Sequence, residues 1–294
     1  MNIRPFKKED AGDLSELSSY CARGETDFVM NPYWETEEEL IAEFARFGIA
    51  PEEHMLVAEV DGEIQGMVGF IRQPGASEAG MYCPIVKRSA RGHGIGGELL
   101  RAARDLAQSK LGIRLVAAAI GTRNRAGYSL LTSHSFRPVR QHFLMRCDAA
   151  PSVPLAETHD FKLEIATRED AEGILEIYLA CGFEQRSPEV MRGVISDGRH
   201  VHAVARHDDR VVAFCEVETH WPRRVWVSYV GVDPKLRDRG LGTALVAWSL
   251  IRQFESGVRT ALLMLSPANR SALRAYEKGG FRRHRLVDVL ETRF

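Results

Sequence analysis

The sequence has no C-x-x-C pair; its five cysteines, Cys21, Cys83, Cys147, Cys181 and Cys215, are odd in number and scattered. That speaks against a disulfide framework and predicts a reducing, cytoplasmic setting. No apolar run approaches membrane-spanning length, and the opening Met-Asn-Ile-Arg-Pro-Phe-Lys-Lys-Glu-Asp lacks an apolar signal core. Charge of one sign is also missing, because 39 Lys and Arg stand against 40 Asp and Glu for a net charge of −1. With no global field to hold them, neither nucleic acid nor membrane is expected as a partner, and any anion site must be local. What the chain does have is a core: 45% hydrophobic and 27% charged residues over 294 positions suit a globular protein of two domains.

One long repeat runs through it. Glu9-Asp10-Ala11 is echoed by Glu169-Asp170-Ala171, Arg91-Gly92-His93-Gly94-Ile95-Gly96 by Arg237-Asp238-Arg239-Gly240-Leu241-Gly242, Asn124 by Asn269 and Phe136 by Phe281. The spacing between echoes shortens after the first, so the first copy carries extra residues between Gly24 and His54. Within them Thr36 and Glu39 have capping-box spacing and predict added helix. The small, proline-bearing stretch at 149–160 suits a linker. The expected architecture is α/β (α+β): two tandem domains, 1–148 and 161–294, each a mixed, mostly antiparallel sheet flanked by helices.

In the second copy, Thr167 and Asp170 cap a helix running to about Cys181, and Asp208-Asp209 turns a hairpin between two β-rich runs. Leu241, Ala244, Leu245, Trp248 and Ile251 recur at helical spacing after the glycine loop. Ser266-Pro267 offers a cap and first residue for the next helix, Gly279-Gly280 ends it, and 281–294 supplies closing strands.

A strand, then Arg-x-x-Gly-x-Gly, then an amphipathic helix makes an anion-binding device: glycines let the backbone turn and approach, and free N–H groups at the helix start point at negative charge. The spacing is not that of a Walker A loop, which ends in Gly-Lys-Ser/Thr, nor of a dinucleotide fingerprint. Downstream each copy places an Asn at a helix start and a Phe after that helix. Val230-Gly231-Val232-Asp233-Pro234 leading to Arg237-x-x-Gly240-x-Gly242, followed by Asn269 and Tyr276-Glu277-Lys278-Gly279-Gly280-Phe281, resembles the GNAT superfamily of acyl-CoA-dependent N-acetyltransferases in its tandem form.

The resemblance implies acetyl-CoA as cosubstrate in the second domain. Arg237, Asp238, Arg239, Gly240, Leu241, Gly242 and Thr243 would wrap the pyrophosphate, Val230 and Val232 would lend backbone groups to the pantetheine and thioester, and Asn269 would contact the pantetheine arm. It also implies Val230 N–H as donor to the thioester carbonyl and Tyr276 as acid for the leaving thiolate. The equivalent positions of the first copy are Pro84, which has no N–H, and Leu131, which has no proton to give. The first domain is therefore expected to be non-catalytic, with a second CoA allowed at the loop from Arg91 to Gly97.

The general base stays open. Some members of the family carry a Glu where this chain has Trp226, leaving Glu216, Glu218, His220 or a water chain. His200, His202 and His207 lack a convincing further ligand, so no metal is expected. The predicted reaction is direct transfer of an acetyl or short acyl group to a small-molecule or peptide primary amine, by a monomer of two domains or a homodimer. Alternatives are mycothiol-synthase-like acetylation of a cysteinyl amine, and a non-catalytic acyl-CoA sensor or partner-binding module.

Overall fold

The computed structural model describes residues 1–73, 75–152 and 160–294. These form two compact units, Met1–His142 with Arg285–Phe294, and Phe143–His284. Residues 153–159 of the expected linker lie outside the described residues.

The first unit contains β1 (Asn2–Pro5), α1 (Ala11–Arg23), α2 (Glu37–Phe47), α3 (Pro51–His54), β2 (Met55–Val60), β3 (Glu63–Ile71), β4 (Glu78–Val86), α4 (Ile95–Leu106), β5 (Leu115–Gly121), α5 (Arg125–Ser133) and the start of β6 (Arg137–Cys147). The second contains the rest of β6, β7 (Lys162–Ile165), α6 (Ala171–Cys181), α7 (Pro188–Ser196), β8 (His200–His207), β9 (Arg210–Trp221), β10 (Arg224–Val232), α8 (Leu241–Glu255), β11 (Thr260–Leu265), α9 (Arg270–Lys278) and the first residues of β12 (Arg282–Arg293). Each is a mixed, mostly antiparallel sheet flanked by helices. In the first, β1 to β4 pair antiparallel in sequence order. β4 meets β5 in parallel only over Glu78–Gly80 against Leu115–Ala117. In the second, β7 to β10 pair antiparallel, and β10 meets β11 in parallel only over Arg224–Trp226 against Thr260–Leu262.

The strand that closes each sheet differs from the linear division expected. Val287–Arg293 of β12 pairs antiparallel with β5, so the chain's last strand belongs to the first unit. The end of β6, Phe143 to Cys147, pairs with β11 in the second unit. Both segments are apolar-rich without strict alternation, with Leu144 and Met145 and likewise Val289 and Leu290 buried side by side, so each suits a strand covered on both faces and its partner is set by register.

Local chemistry accounts for most boundaries. Thr36 accepts from the Glu39 amide at 3.3 Å and starts α2. Thr167 and Asp170 form the capping box ahead of α6. Asp208 and Asp209 both take positive φ, 48° and 60°, as a tight hairpin turn with right-handed strand twist demands. The last helix begins later than Ser266-Pro267 predicts: Ser266 caps only a turn, and Asn269 accepts from the Ala272 amide at 3.1 Å to start α9. Helix α8 buries Leu241, Leu245 and Leu250 against the sheet, each worth about 1.5–3 kcal/mol of transfer free energy.

Candidate active site

Where β10 leaves β11, its backbone becomes available. The register against β9 slips between Val227 and Tyr229, so Ser228 is the extra residue of a bulge, after which Val230 opposes Cys215, Gly231 opposes Phe214 and Val232 opposes Ala213. The Asp233 amide donates to the Val212 carbonyl on β9 at 2.8 Å. Backbone direction alternates along a strand, so the amides of Val230 and Val232 face away from β9, toward the side from which β11 has diverged. The Val232 carbonyl accepts there from Arg237 Nε at 3.3 Å. Gly231 permits this close packing, because a Cβ on it would lie 2.5 Å from Phe214 Cε1 and 2.8 Å from Ile177 Cγ2.

The following loop is built to leave amides free. Asp238 and Gly240 take positive φ, 63° and 78°, turning the chain sharply into α8, whose start has no side-chain cap. Leu241, Gly242 and Thr243 occupy the first turn, where amides lack intrahelical acceptors and the helix dipole favours an anion. The first unit repeats the device: Gly92 and Gly94 have φ of 81°, α4 is uncapped, and Arg91 Nε donates to the Val86 carbonyl at 3.0 Å.

Tyr276 projects from α9 onto the apolar cluster that also receives Val230 and Val232, with its ring 5.8 Å from that of Phe281. Burial first, and the Cys215 side chain second, raise its hydroxyl pKa, so it holds its proton at neutral pH. Burial likewise pushes the Cys215 thiol up to about 12, which leaves no thiolate to act as a nucleophile. Asn269 is exposed at the N-terminal start of α9, two turns before Tyr276 in its last turn.

The opposite face of the sheet, under α6 and α7, carries a polar grid that periodicity alone did not bring out. His200 pairs with Glu218, and His202 with Glu216, across β8 and β9. Glu216 is 1% exposed and accepts from the Tyr178 hydroxyl at 2.6 Å and Arg186 at 3.3 Å, with His200 at 3.3 Å and His202 at 3.4 Å. Burial alone would raise its pKa, but bonds from His200, His202 and Tyr178 outweigh it and hold the carboxyl well below the usual range. Glu218 bonds Ser228 of the bulge and lies 3.6 Å from His220 Nε2, which lies 3.2 Å from His200 Nε2. Among the described residues no group of His, Cys, Asp and Glu is arranged to hold a metal, and His207 sits apart beside Phe161 and Asp208.

The first unit fills the equivalent gap with its own chain. Between β4 and β5, the Gly121 amide donates to the Phe28 carbonyl at 3.0 Å, the Met30 amide to Ala119 at 2.8 Å, and the Cys83 amide to Asn31 at 2.7 Å. Asn124 caps α5 and also donates Nδ2 to the Phe28 carbonyl at 3.2 Å. Asp27, just before, lies 3.0 Å from the loop's Arg91. A cavity of 260 Å³ remains, lined by Asp27, Val29, Pro84, Arg91 and Gly94 among others. Leu131 is buried in the core, 1% exposed. The segment comes from the extra residues of the first copy: Gly24 to Thr36 joins its two helices, where the second uses only Gly182 to Ser187.

A sheet splayed at a bulge, with an uncapped glycine turn leading into the next helix, defines the class of an acyl-CoA-dependent acetyltransferase fold, here present twice. The acetyltransferase (GNAT) family model matches residues 23–136 and again 171–281. The chain belongs to this family.

Among solved structures, a GCN5-related N-acetyltransferase from Sphaerobacter thermophilus superposes with a TM-score of 0.77, at 18% identity over 99% of this chain and 95% of that one. A tandem GNAT protein from the clavulanic acid biosynthesis pathway gives 0.71 at 18% identity, covering 99% and 98%. Both are likenesses of fold. A mycothiol acetyltransferase of Nocardia farcinica is 30% identical over 244 residues, 77% of this chain and 78% of that protein. One of Thermomonospora curvata is 36% identical over 87 residues, 30% of this chain and 29% of that protein. The matches to this relative and to that of Acidimicrobium ferrooxidans thus span under a third of either protein.

Proposed function

We propose that the protein transfers an acetyl or other short acyl group from CoA directly to a primary amine, with the chemistry in the second unit. The observation that carries this reading is the contrast at two equivalent positions: Val230 and Tyr276 offer an amide and a phenol, whereas Pro84 and Leu131 offer neither. When bound, acetyl-CoA supplies the activated acyl group. The first-turn amides of Leu241 to Thr243 and the side chains of Arg237 and Arg239 hold its pyrophosphate, Val232 and Asn269 hold the pantetheine arm, and the Val230 amide polarises the thioester carbonyl. Tyr276 returns a proton to the departing sulfur. The protonated Cys215 thiol favours direct attack over an acyl-cysteine intermediate.

In the first unit the loop from Arg91 to Gly97 retains an anion cradle for the phosphates of a second CoA, while residues 28–31 exclude its thioester end. Five free cysteines, four of them buried, suit a reducing cytoplasmic setting. Among the described residues no helix is long and apolar enough to cross a membrane.

The likeness to the Nocardia farcinica relative favours a second, narrower reading, in which the acceptor is the cysteinyl amine of a sugar-linked thiol. The test is CoA thiol release from acetyl-CoA across a panel of amines that includes a cysteinyl amide, compared with calorimetric binding of CoA. Turnover lost with Tyr276→Phe supports catalysis in the second unit. Tight CoA binding without thiol release on any amine would instead make the protein a sensor.

A further inference from the structure

On the acyl-transfer reading above, we propose that Glu218 is the general base, a carboxylate one strand removed from the position of Trp226. Trp226 and Glu218 are direct partners across antiparallel β10 and β9. Residues so paired project from the same face with Cβ atoms about 5 Å apart, so Glu218 serves the space that a carboxylate at 226 would serve. Its attachment to the reacting strand is direct, through the hydrogen bond from Ser228, the bulge residue shortly before Val230. The residue is 8% exposed, dry enough for its charge to act strongly on an ammonium.

Glu216 is the weaker choice, because its oxygens are occupied by Tyr178, Arg186, His200 and His202 and it stays ionised. It instead ends a relay. From Glu218 the contacts run to His220 at 3.6 Å, His200 at 3.2 Å and Glu216 at 3.3 Å, and the His200 side chain is 19% exposed. A proton accepted at Glu218 therefore has a path to water.

The protons balance. Glu218 takes one from the ammonium, freeing the lone pair; the amine nitrogen bonds the acyl carbon and the carbon–sulfur bond breaks. Tyr276 protonates the thiolate, and the proton shed by nitrogen as the adduct collapses restores the phenol. The products are amide, CoA thiol and one proton carried away through His220 and His200.

On this face Glu218 has beside it His200 on β8, Glu216 and His220 on β9 and Ser228 on β10. Arg224 packs over Trp221 beside His220, and Tyr178 and Arg186 act through Glu216.

The experiment follows thiol release from acetyl-CoA with phenethylamine, glycinamide, glucosamine and spermidine between about pH 6 and 10. Glu218→Gln is expected to lower kcat roughly 10²-fold at neutral pH with the KM for acetyl-CoA unchanged. The deficit should close by about tenfold per pH unit as free amine accumulates. Adding Trp226→Glu to Glu218→Gln should recover at least tenfold, because the carboxylate returns to the paired position. His220→Gln should give a smaller deficit of the same pH dependence. Should Glu218→Gln fail to fold, Glu218→Asp, which keeps the charge but shortens its reach, is read in the same assay and is expected to lose about tenfold. Wild-type rates in these variants, a deficit constant with pH, or no recovery with Trp226→Glu overturns the assignment of Glu218. Silence of the wild-type enzyme with all four amines and with a cysteinyl amide would strike the acyl-transfer reading itself.

Discussion

Tyr178 donates its hydroxyl to Glu216 at 2.6 Å beneath α6, so a phenol from a helix and a carboxylate from β9 close the buried end of the polar grid. The carboxylate is ionised in the folded state and its pKa is depressed. A depressed carboxylate contributes stability that is fully present above its unfolded pKa of about 4.3 and is lost as pH falls toward the folded value. Glu216→Gln should therefore cost about 1–3 kcal/mol at pH 7 in urea unfolding, and the cost should shrink as the titration is repeated below about pH 4. Tyr178→Phe should cost a similar amount at pH 7. An unfolding difference independent of pH would show that Glu216 is not held charged.

Tyr276→Phe keeps the ring against Phe281 and removes only the proton. We expect kcat to fall by about 10²-fold and calorimetric affinity for acetyl-CoA to stay within about twofold. Because burial raises the pKa of the phenol, the wild-type rate should show no loss of the acid through mildly alkaline pH. Weakened affinity with unchanged kcat would make Tyr276 a packing residue.

The parts of the proposed site that the sequence offers are those whose chemistry is local. The glycine loop, the Val230–Val232 stretch, Asn269 and Tyr276 lie on short segments whose spacing is fixed by one strand, one turn or one helix. Strand exchange was not legible, because Phe143-Leu144-Met145-Arg146-Cys147 and Val287-Asp288-Val289-Leu290-Glu291 are both short apolar-rich runs and only long-range register assigns them to their partners. The sequence names His200, His202, Glu216 and Glu218 singly, but the same limit kept their meeting out of view, because it depends on cross-strand pairing. Extra residues were visible between Gly24 and His54, but propensity says nothing of a segment whose partners are the free edges of β4 and β5.

Gly240 tests the anion cradle separately from the acid. Its φ of 78° is a left-handed conformation that costs a residue with a Cβ roughly 1–2 kcal/mol. Gly240→Val should raise the KM for acetyl-CoA by at least about tenfold and lower Tm by a few degrees, with kcat at saturation less affected than in Tyr276→Phe. Gly94→Val, its equivalent in the first unit, should leave both kinetic constants near wild type. Equal losses in the two variants would move the productive cofactor site.

The two cap asparagines should respond in opposite ways. Asn124 is 7% exposed, accepts from the Gly127 amide at 2.9 Å and donates to the Phe28 carbonyl at 3.2 Å. Its amide is thus spent on the protein's own chain, at the position where the family resemblance puts a pantetheine contact. Asn269 caps α9 in the same manner but is exposed, beside a gap that β10 and β11 leave open beyond Trp226. Asn124→Ala removes a cap and a buried bond together and should lower stability by about 1–3 kcal/mol while leaving turnover intact. Asn269→Ala loses an exposed cap worth about 1 kcal/mol and should show chiefly as weaker acetyl-CoA binding. Thermal unfolding and initial rates measured on both variants decide the matter. If Asn124→Ala lowers turnover and Asn269→Ala does not, the cofactor arm runs through the first unit and the segment 28–31 must yield to it.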